Sequence, residues 1–223
     1  MAYILQIETS TTNCSVAISK NGETIALKEV SNGYSHAENL HVFVKDALAE
    51  NKLDYSDLDA IAVSKGPGSY TGLRIGVSTA KGLCFSLDIP LIAIETLEVL
   101  AHQINMDQGF IVPMIDARRM EAYTKVFDAN FNEVRAIEAQ ILDNQSFDVF
   151  LKQGKITFVG NKTEKTQEVI QHENAMFINS LPSAKEMSSL AYDKYKKNDI
   201  EDVAYFEPYY LKDFLVTPAK KKI

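Results

Sequence analysis

One series of elements occurs twice along this chain, and that repetition limits the possible folds more than any other feature. An apolar strand, a polar turn, a second strand, a tight hairpin and a third strand are predicted over residues 4–30. The same series returns over residues 110–139, with Asp116 in the place of Glu8. Residue identity between the copies is negligible, so the pattern alone indicates a duplicated α/β unit.

Helical segments follow each triplet of strands. The first copy predicts helices from about His36 to Glu50, Thr71 to Leu87 and Thr96 to Ile104. The second copy is shorter and ends in a helix near residues 184–198, followed by a polar link. We therefore expect a first lobe over residues 1–104, a second, smaller lobe over 105–210 and an extended basic tail over 211–223.

Composition and charge narrow the class of protein. The 223 residues are 46% hydrophobic and 24% charged, which is typical of a globular chain. No apolar run approaches the roughly 20 residues that span a bilayer, and the N-terminus lacks a basic leader. Cys14 and Cys84 lie in apolar patterns typical of buried, reduced thiols, so we expect a cytoplasmic protein. A net charge of −7 disfavours RNA binding by the chain alone.

A glycine-rich segment, residues 66–76, follows a predicted strand and opens the second helix. Such loops can present backbone N–H groups to a phosphate. The lysine of a P-loop is missing, however, and the last gap is one residue too long for a dinucleotide fingerprint. These departures favour a tight structural turn over an anion site.

The helix after this loop presents a second row of residues at helical spacing, Arg74, Ser78, Lys81 and Phe85. Two cations, a hydroxyl and an aromatic ring describe a solvated face and a docking face equally well, because Arg and Phe are enriched in interfaces. The sequence leaves these two interpretations open.

Other polar residues form no recognisable catalytic group. Glu8 and the hydroxyl-rich turn after it could handle a phosphate or form an ordinary turn. The histidines at 36, 41, 102 and 172 offer no metal pair, and no nucleophile is paired with a base. Arg118 and Arg119 could contact RNA or a carboxylate, although a surface loop is the simpler interpretation. We therefore predict no catalytic, cofactor-binding or metal-binding residue.

Three segments carry a resemblance to a known family: ILQIETSTTNCSVAI, KGPGSYTGLRIGVSTAKGL and MIDARRMEAY. In this order and spacing they resemble the bacterial tRNA threonylcarbamoyladenosine biosynthesis proteins of the TsaB type. The resemblance implies the α/β fold shared by actin, sugar kinases and heat-shock chaperone ATPases (the ASKHA fold), in two duplicated lobes with the second truncated. It also implies a role in modifying the adenosine beside the anticodon of certain tRNAs.

The resemblance further implies partners. The catalytic member of the pathway is a longer TsaD-type paralogue with two metal-binding histidines in a His-x-x-x-His stretch, and Thr96 and Leu100 stand at those places here. Neither side chain replaces an imidazole as a ligand for a transition metal. We therefore expect a non-catalytic subunit that binds and activates the paralogue as a heterodimer, forms a homodimer when alone, works with a TsaE-type ATPase and reaches tRNA through the complex.

The expected role as a non-catalytic subunit also predicts the cofactors and the contact residues. The chain alone is expected to bind no cofactor, whereas ATP and a metal act in the partner complex. The family is known to pair through its first two helices, which predicts the partner-binding residues Leu40, Phe43, Val44, Arg74, Ser78, Lys81 and Phe85.

Two other functions compete with this one. A small nucleotide-dependent phosphotransferase would use the cleft of an actin-like fold, but the short second lobe argues against it. A peptidase would need a nucleophile, a base and an orienting group, which the sequence does not assemble.

Overall fold

A computed structural model describes residues 1–31, 36–161 and 163–212. Most of the predicted basic tail, including Lys220–Lys222, lies outside these ranges. Among the described helices, none combines the length and apolar character that crossing a bilayer requires.

The first sheet has five strands in the order β3-β2-β1-β4-β5. Strands β1 and β2 are antiparallel and joined through the turn after Glu8, whereas β4 and β5 continue the sheet in parallel. Asn21 and Gly22 have positive φ values of 52° and 88° in the β2–β3 hairpin, as expected for an Asn-Gly turn. The strands are β1 (Tyr3–Glu8), β2 (Cys14–Lys20), β3 (Glu23–Val30), β4 (Ala60–Gly66) and β5 (Leu91–Glu95).

The second sheet repeats the first. Its order is β10-β9-β6-β7-β8, so each copy places its first strand between its second and fourth. The chain therefore has the duplicated α/β architecture of the ASKHA fold, and the predicted duplication is confirmed. The strands are β6 (Phe110–Arg118), β7 (Glu121–Asp128), β8 (Glu133–Ile141), β9 (Ile156–Gly160) and β10 (Ala175–Asn179).

Strand β10 was missing from the sequence-based prediction. It is an edge strand that pairs only with β9, and its Met176 and Ile178 side chains are exposed. Because neither face is continuously buried, the pattern of apolar residues was too weak to indicate a strand.

The helices occupy equivalent places in the two copies. The second lobe is smaller because α4 and α5 have only four and seven residues, while its sheet is as wide as the first. The helices are α1 (His36–Glu50), α2 (Tyr70–Leu87), α3 (Thr96–Ala101), α4 (Asp148–Leu151), α5 (Thr163–Val169) and α6 (Met187–Lys196).

The position of helix α6 differs from the predicted division of the chain into lobes. The sequence placed it in a second lobe over residues 105–210, but Met187 and Ala191 pack against Ile4 and Ile92 of the first sheet. Helices α1 and α2 cover the opposite face of that sheet. The first lobe therefore receives one of its covering layers from the C-terminal part of the chain, because the face of β1 opposite α1 and α2 also carries apolar residues that must be buried.

Helix α3, from the first lobe, packs on the second sheet in the same way as α6 packs on the first. It follows the first sheet in the chain, yet Leu97 and Leu100 pack against Ile115 of the second sheet. Ala101 joins Ile111 and Phe127 in a neighbouring cluster. Each lobe thus contributes a helix to the other, and apolar side chains of α3 contact both sheets.

An ion pair reinforces the junction between the lobes. Lys125 Nζ on β7 lies 3.0 Å from Glu95 Oε1 at the end of β5, and 2.7 Å from Glu133 Oε2. Burial lowers the pKa of Lys125, but the two carboxylates outweigh that effect and the net shift is upward. The charged ammonium is therefore retained between the lobes.

The glycines at the start of α2 allow the turn after β1 to lie directly on the helix. A Cβ atom at Gly72 would overlap the carbonyl oxygen of Thr9, and one at Gly76 would overlap Thr9 Oγ1. Thr9 Oγ1 also donates a hydrogen bond to Gly72 O over 2.8 Å. The interpretation of the glycine-rich segment as a close structural contact agrees with this packing.

Substituting these glycines tests the contact. Gly72→Ala forces the turn away from α2, and we expect a loss of about 1–3 kcal/mol in the free energy of unfolding. Gly82→Ala is the matched control, because no atom lies within 4 Å of the added Cβ. That control should gain about 0.5–1 kcal/mol, since alanine is the better helix former. Urea denaturation measures both changes, and an equal effect of the two variants would contradict the packing.

Candidate functional site

The turn between β1 and β2 is closed on every side. Ser69 N, at the start of α2, donates to Ser10 O over 2.6 Å. His36 Nε2, at the start of α1, donates to Thr11 O over 2.8 Å. These contacts hold the turn against both helices and leave buried the side chains of Thr9, Ser10, Thr11 and Asn13.

Glu8 is the most deeply buried acid in the described chain. Its Oε1 atom accepts a hydrogen bond from Ser10 N over 2.6 Å, so a backbone donor that could face a phosphate is already engaged. Burial raises the pKa of Glu8, and hydrogen bonds from Ser10 and Ser64 offset only part of that rise. A buried acid in a sealed turn does not form an anion site, so the turn does not fit the phosphates of a nucleotide.

The equivalent turn of the second lobe is open. Arg118, Arg119 and Met120 are exposed and have consecutive positive φ values of 71°, 53° and 59°. This conformation is uncommon for residues other than glycine. Asp116 accepts a hydrogen bond from Arg118 N over 3.2 Å, and its own N–H donates to Asn161. The two arginines lie in a surface turn, and what they contact remains a prediction.

A cavity of about 20 Å³ lies beside this turn, between Asp116, Met120, Asn161 and Lys165. That volume holds about one water molecule. It does not accommodate a nucleotide.

Thr96 and Leu100, which the resemblance sets against the paralogue's histidines, are buried between the lobes. Thr96 Oγ1 lies 2.6 Å from Ser64 Oγ, and the two hydroxyls share a hydrogen bond. Leu100 packs against Ile115 of the second sheet. Within the described ranges no group of three His, Cys, Asp or Glu side chains could hold a metal ion. The residues present therefore do not fit the metal that the resemblance assigns to the paralogue.

The two cysteines are buried free thiols, as the sequence indicated. Burial raises the pKa of Cys14 to about 11, and the nearby Glu8 adds to the rise. Burial also raises the pKa of Cys84 to about 12. Both thiols stay protonated at neutral pH, so neither is an activated nucleophile.

Helix α2 has an inner and an outer face. The inner side chains of Leu73, Val77 and Cys84 are buried against the first sheet. On the outer face Arg74 and Ser78 are exposed, and 84% of Phe85 is exposed. This division agrees with the helical spacing in the sequence, while binding of a partner to the outer face stays a prediction.

Two residues of the predicted partner-binding set are wrongly assigned. Leu40 and Val44 on α1 are completely buried against the first sheet, so no partner can reach them without unfolding the helix. Phe43 is half-buried at the edge of the same core. Its neighbour Val42 is 52% exposed. The helical spacing already places Leu40 and Val44 on the buried stripe of α1 and Val42 outside it, so their assignment to the partner-binding set conflicted with the spacing itself.

Lys81 was also predicted to bind a partner, but its side chain is bonded within the chain. Its ammonium group donates to Ala204 O over 3.2 Å and to Phe206 O over 2.9 Å. The acceptors belong to residues 201–210, which we call the C-terminal strap because they run along α2. At the far end of the strap Tyr209 N donates to Lys65 O over 2.7 Å, and the rings of Tyr210 and Tyr70 lie 4.8 Å apart.

The sequence interpretation missed the strap, which it described as a polar link and an extended tail. One signal was present in the sequence: apolar and aromatic residues recur along this segment, at Val203, Phe206 and Tyr209. Val203 and Phe206 pack against the core beneath α2. Irregular segments that pack in this way lack a period, so spacing alone does not reveal them.

Comparison with known proteins identifies the family. The chain belongs to the family described as TsaD: tRNA N6-adenosine threonylcarbamoyltransferase, whose model matches residues 32–220. Several relatives are TsaB proteins, and one of them matches nearly the whole chain. The Escherichia coli protein named tRNA threonylcarbamoyladenosine biosynthesis protein TsaB is 28% identical over 220 residues, covering 94% of each chain.

Two further relatives support the same assignment. The TsaB protein of Bacillus subtilis is 40% identical over 124 residues, which are 56% of this chain and 54% of the relative. This match therefore spans about half the length of the relative. The solved structure of YeaZ from Pseudomonas aeruginosa superimposes with a TM-score of 0.82 at 26% identity, covering 95% of this chain and 100% of that one. The resemblance to the TsaB type is confirmed.

The raised pKa of Glu8 predicts a pH-dependent stability. Because the folded-state pKa lies above the ordinary value of 4.5, the contribution of Glu8 is fully present below pH 4.5 and is lost as the pH rises toward the folded-state value. Glu8→Gln keeps the shape but cannot ionise. The melting temperature of the variant, relative to the native chain, should therefore increase between pH 4.5 and 7. Parallel melting curves across this range would show that Glu8 has no shifted pKa.

Proposed function

We propose that this chain is a non-catalytic subunit that binds and activates a TsaD-type paralogue in threonylcarbamoyladenosine modification of tRNA. One observation carries the proposal: Thr96 and Leu100, which the resemblance sets against the paralogue's two histidines, are buried between the lobes. A chain with the family fold but without the family's metal ligands can contribute to the reaction only through another protein.

The outer face of α2 supports docking as the means of that contribution. Phe85 exposes 84% of its surface, and Val42 on the adjacent helix adds a second apolar side chain. Exposed apolar surface of this kind is costly in water and is common at protein interfaces. The same face is self-complementary when two copies are related by a two-fold axis, so a homodimer and the heterodimer would compete for it.

The rest of the pathway is assigned to the complex. ATP and the metal belong to the paralogue, a TsaE-type ATPase acts on the assembly, and tRNA is reached through the complex. The net charge of −7 supports this division, because a chain that binds RNA by itself needs a surplus of cations.

A nucleotide-dependent phosphotransferase finds no support in the geometry. The turn after β1, which would face the phosphates, is closed by α1, α2 and the buried acid Glu8. The cavity beside Asp116 is the size of a water molecule.

Phe85→Asp tests the docking surface. The variant places a charge where an apolar contact is expected, and we predict that binding to the purified paralogue weakens by about 1–3 kcal/mol. Ile141→Asp is the matched control, because Ile141 is 71% exposed at the end of β8 in the other lobe. Calorimetric titration of both variants measures the difference. Equal affinities of Phe85→Asp and the native chain would place the interface elsewhere.

A reconstituted assay tests the activity itself. Modification of tRNA with the paralogue, the ATPase and this chain should stop when this chain is left out, and this chain alone should produce none. Turnover by a preparation shown to be free of the paralogue would contradict the non-catalytic assignment.

A further inference from the structure

The C-terminal strap adds a second contact element beside Phe85. We infer that Tyr205 inserts into the same partner as Phe85, and that Lys81 is a positioning residue that holds the strap rather than a contact residue. The inference rests on the proposed function, because it concerns the surface on which the paralogue docks.

A short turn presents Tyr205 to the outside. Asp202 Oδ1 accepts hydrogen bonds from Ala204 N over 2.8 Å and from Tyr205 N over 3.3 Å. Phe206 N donates to Asp202 O over 2.8 Å, which closes the turn. The side chains of Val203 and Phe206 pack against the core on either side of this turn, and the side chain of Tyr205 between them is exposed.

Lys81 fixes this turn to the docking helix. Its two hydrogen bonds go to the carbonyl groups that flank Tyr205 in the chain. Phe85 lies one helical turn beyond Lys81 on the same face of α2. Lys81 therefore joins two elements that each present one aromatic ring, and its charge is used within the chain.

Both aromatic rings are 84% exposed, the largest exposed fractions of any aromatic side chain in the described part of the chain. A tyrosine has only two rotatable side-chain bonds and a large apolar ring, so it loses little entropy when a partner covers it. Its hydroxyl group can stay hydrated at the rim of an interface. Two such rings on rigid supports are typical of the few residues that dominate binding.

The charge of the C-terminal strap indicates which kind of partner surface would contact Phe85 and Tyr205. Glu201, Asp202 and Glu207 make the strap acidic, and residues 201–210 contain no basic side chain. None of these three acids forms an ion pair within the described ranges. The strap is therefore complementary to a surface with basic side chains around an apolar pocket. We assign that surface to the paralogous enzyme subunit.

Tyr205→Ser is the central test. Affinity for the purified paralogue should fall at least about tenfold, which is the effect of losing a modest hot spot. Ile141→Ser removes an equally exposed apolar side chain from the other lobe and should bind like the native chain. Because Tyr205 is exposed, its removal should leave the melting temperature unchanged, so any loss of affinity reports on contact.

The role of Lys81 needs a double-variant cycle. If Lys81 acts by holding the strap, Lys81→Met weakens binding, and adding Tyr205→Ser to it costs less than Tyr205→Ser costs in the native chain. Fully additive losses would show that Lys81 does not act through Tyr205, and the positioning role would be wrong.

Charge complementarity gives a separate readout. Glu207→Lys should reduce affinity and flatten its dependence on salt, because one screened attraction is lost. An unchanged salt dependence would overturn the acidic strap as a recognition element.

The outcomes separate this inference from the proposed function. If Phe85→Ser weakens binding and Tyr205→Ser does not, the strap is no part of the interface but docking through α2 stands. If the native chain does not bind the paralogue at all, the proposed function fails and this inference fails with it.

Discussion

Burial of helix α3 between the two sheets is the contact on which the rest of the molecule depends. Leu97 and Leu100 contact Ile115 from a helix that belongs to the first copy in sequence, and α6 packs in return on the first sheet. The same burial explains why Thr96 and Leu100 suit their positions, because a hydroxyl bonded to Ser64 and an aliphatic side chain can be enclosed without unpaired polar groups.

The two turns that follow the first strand of each copy have diverged in opposite directions. The turn after Glu8 is sealed by α1 and α2, whereas the turn after Asp116 is exposed and has three consecutive positive φ values. The buried first turn leaves no room for a phosphate, and its hydrogen bonds hold the starts of α1 and α2 in place. Rigid supports favour docking, because less conformational entropy is lost when a partner binds.

Helix α2 packs on the first sheet with one side, and its other side is the proposed docking surface. Its glycines admit the turn at Thr9, and its outer row presents Phe85. The strap lies along the helix and is fixed by Lys81 and by the contact between Tyr70 and Tyr210. In the proposed complex, the partner contacts a surface whose shape depends on the position of the C-terminal strap.

The sequence by itself determined the elements that depend on neighbours in the chain. Hairpins, strand alternation and the inner and outer rows of α2 follow from local spacing, and the duplication and the family motifs could be recognised from them. Only the tertiary structure decided that α6 covers the first sheet and that Lys81 binds the strap. These outcomes depend on which surfaces meet across more than a hundred residues of chain, and periodicity carries no information about such distant contacts.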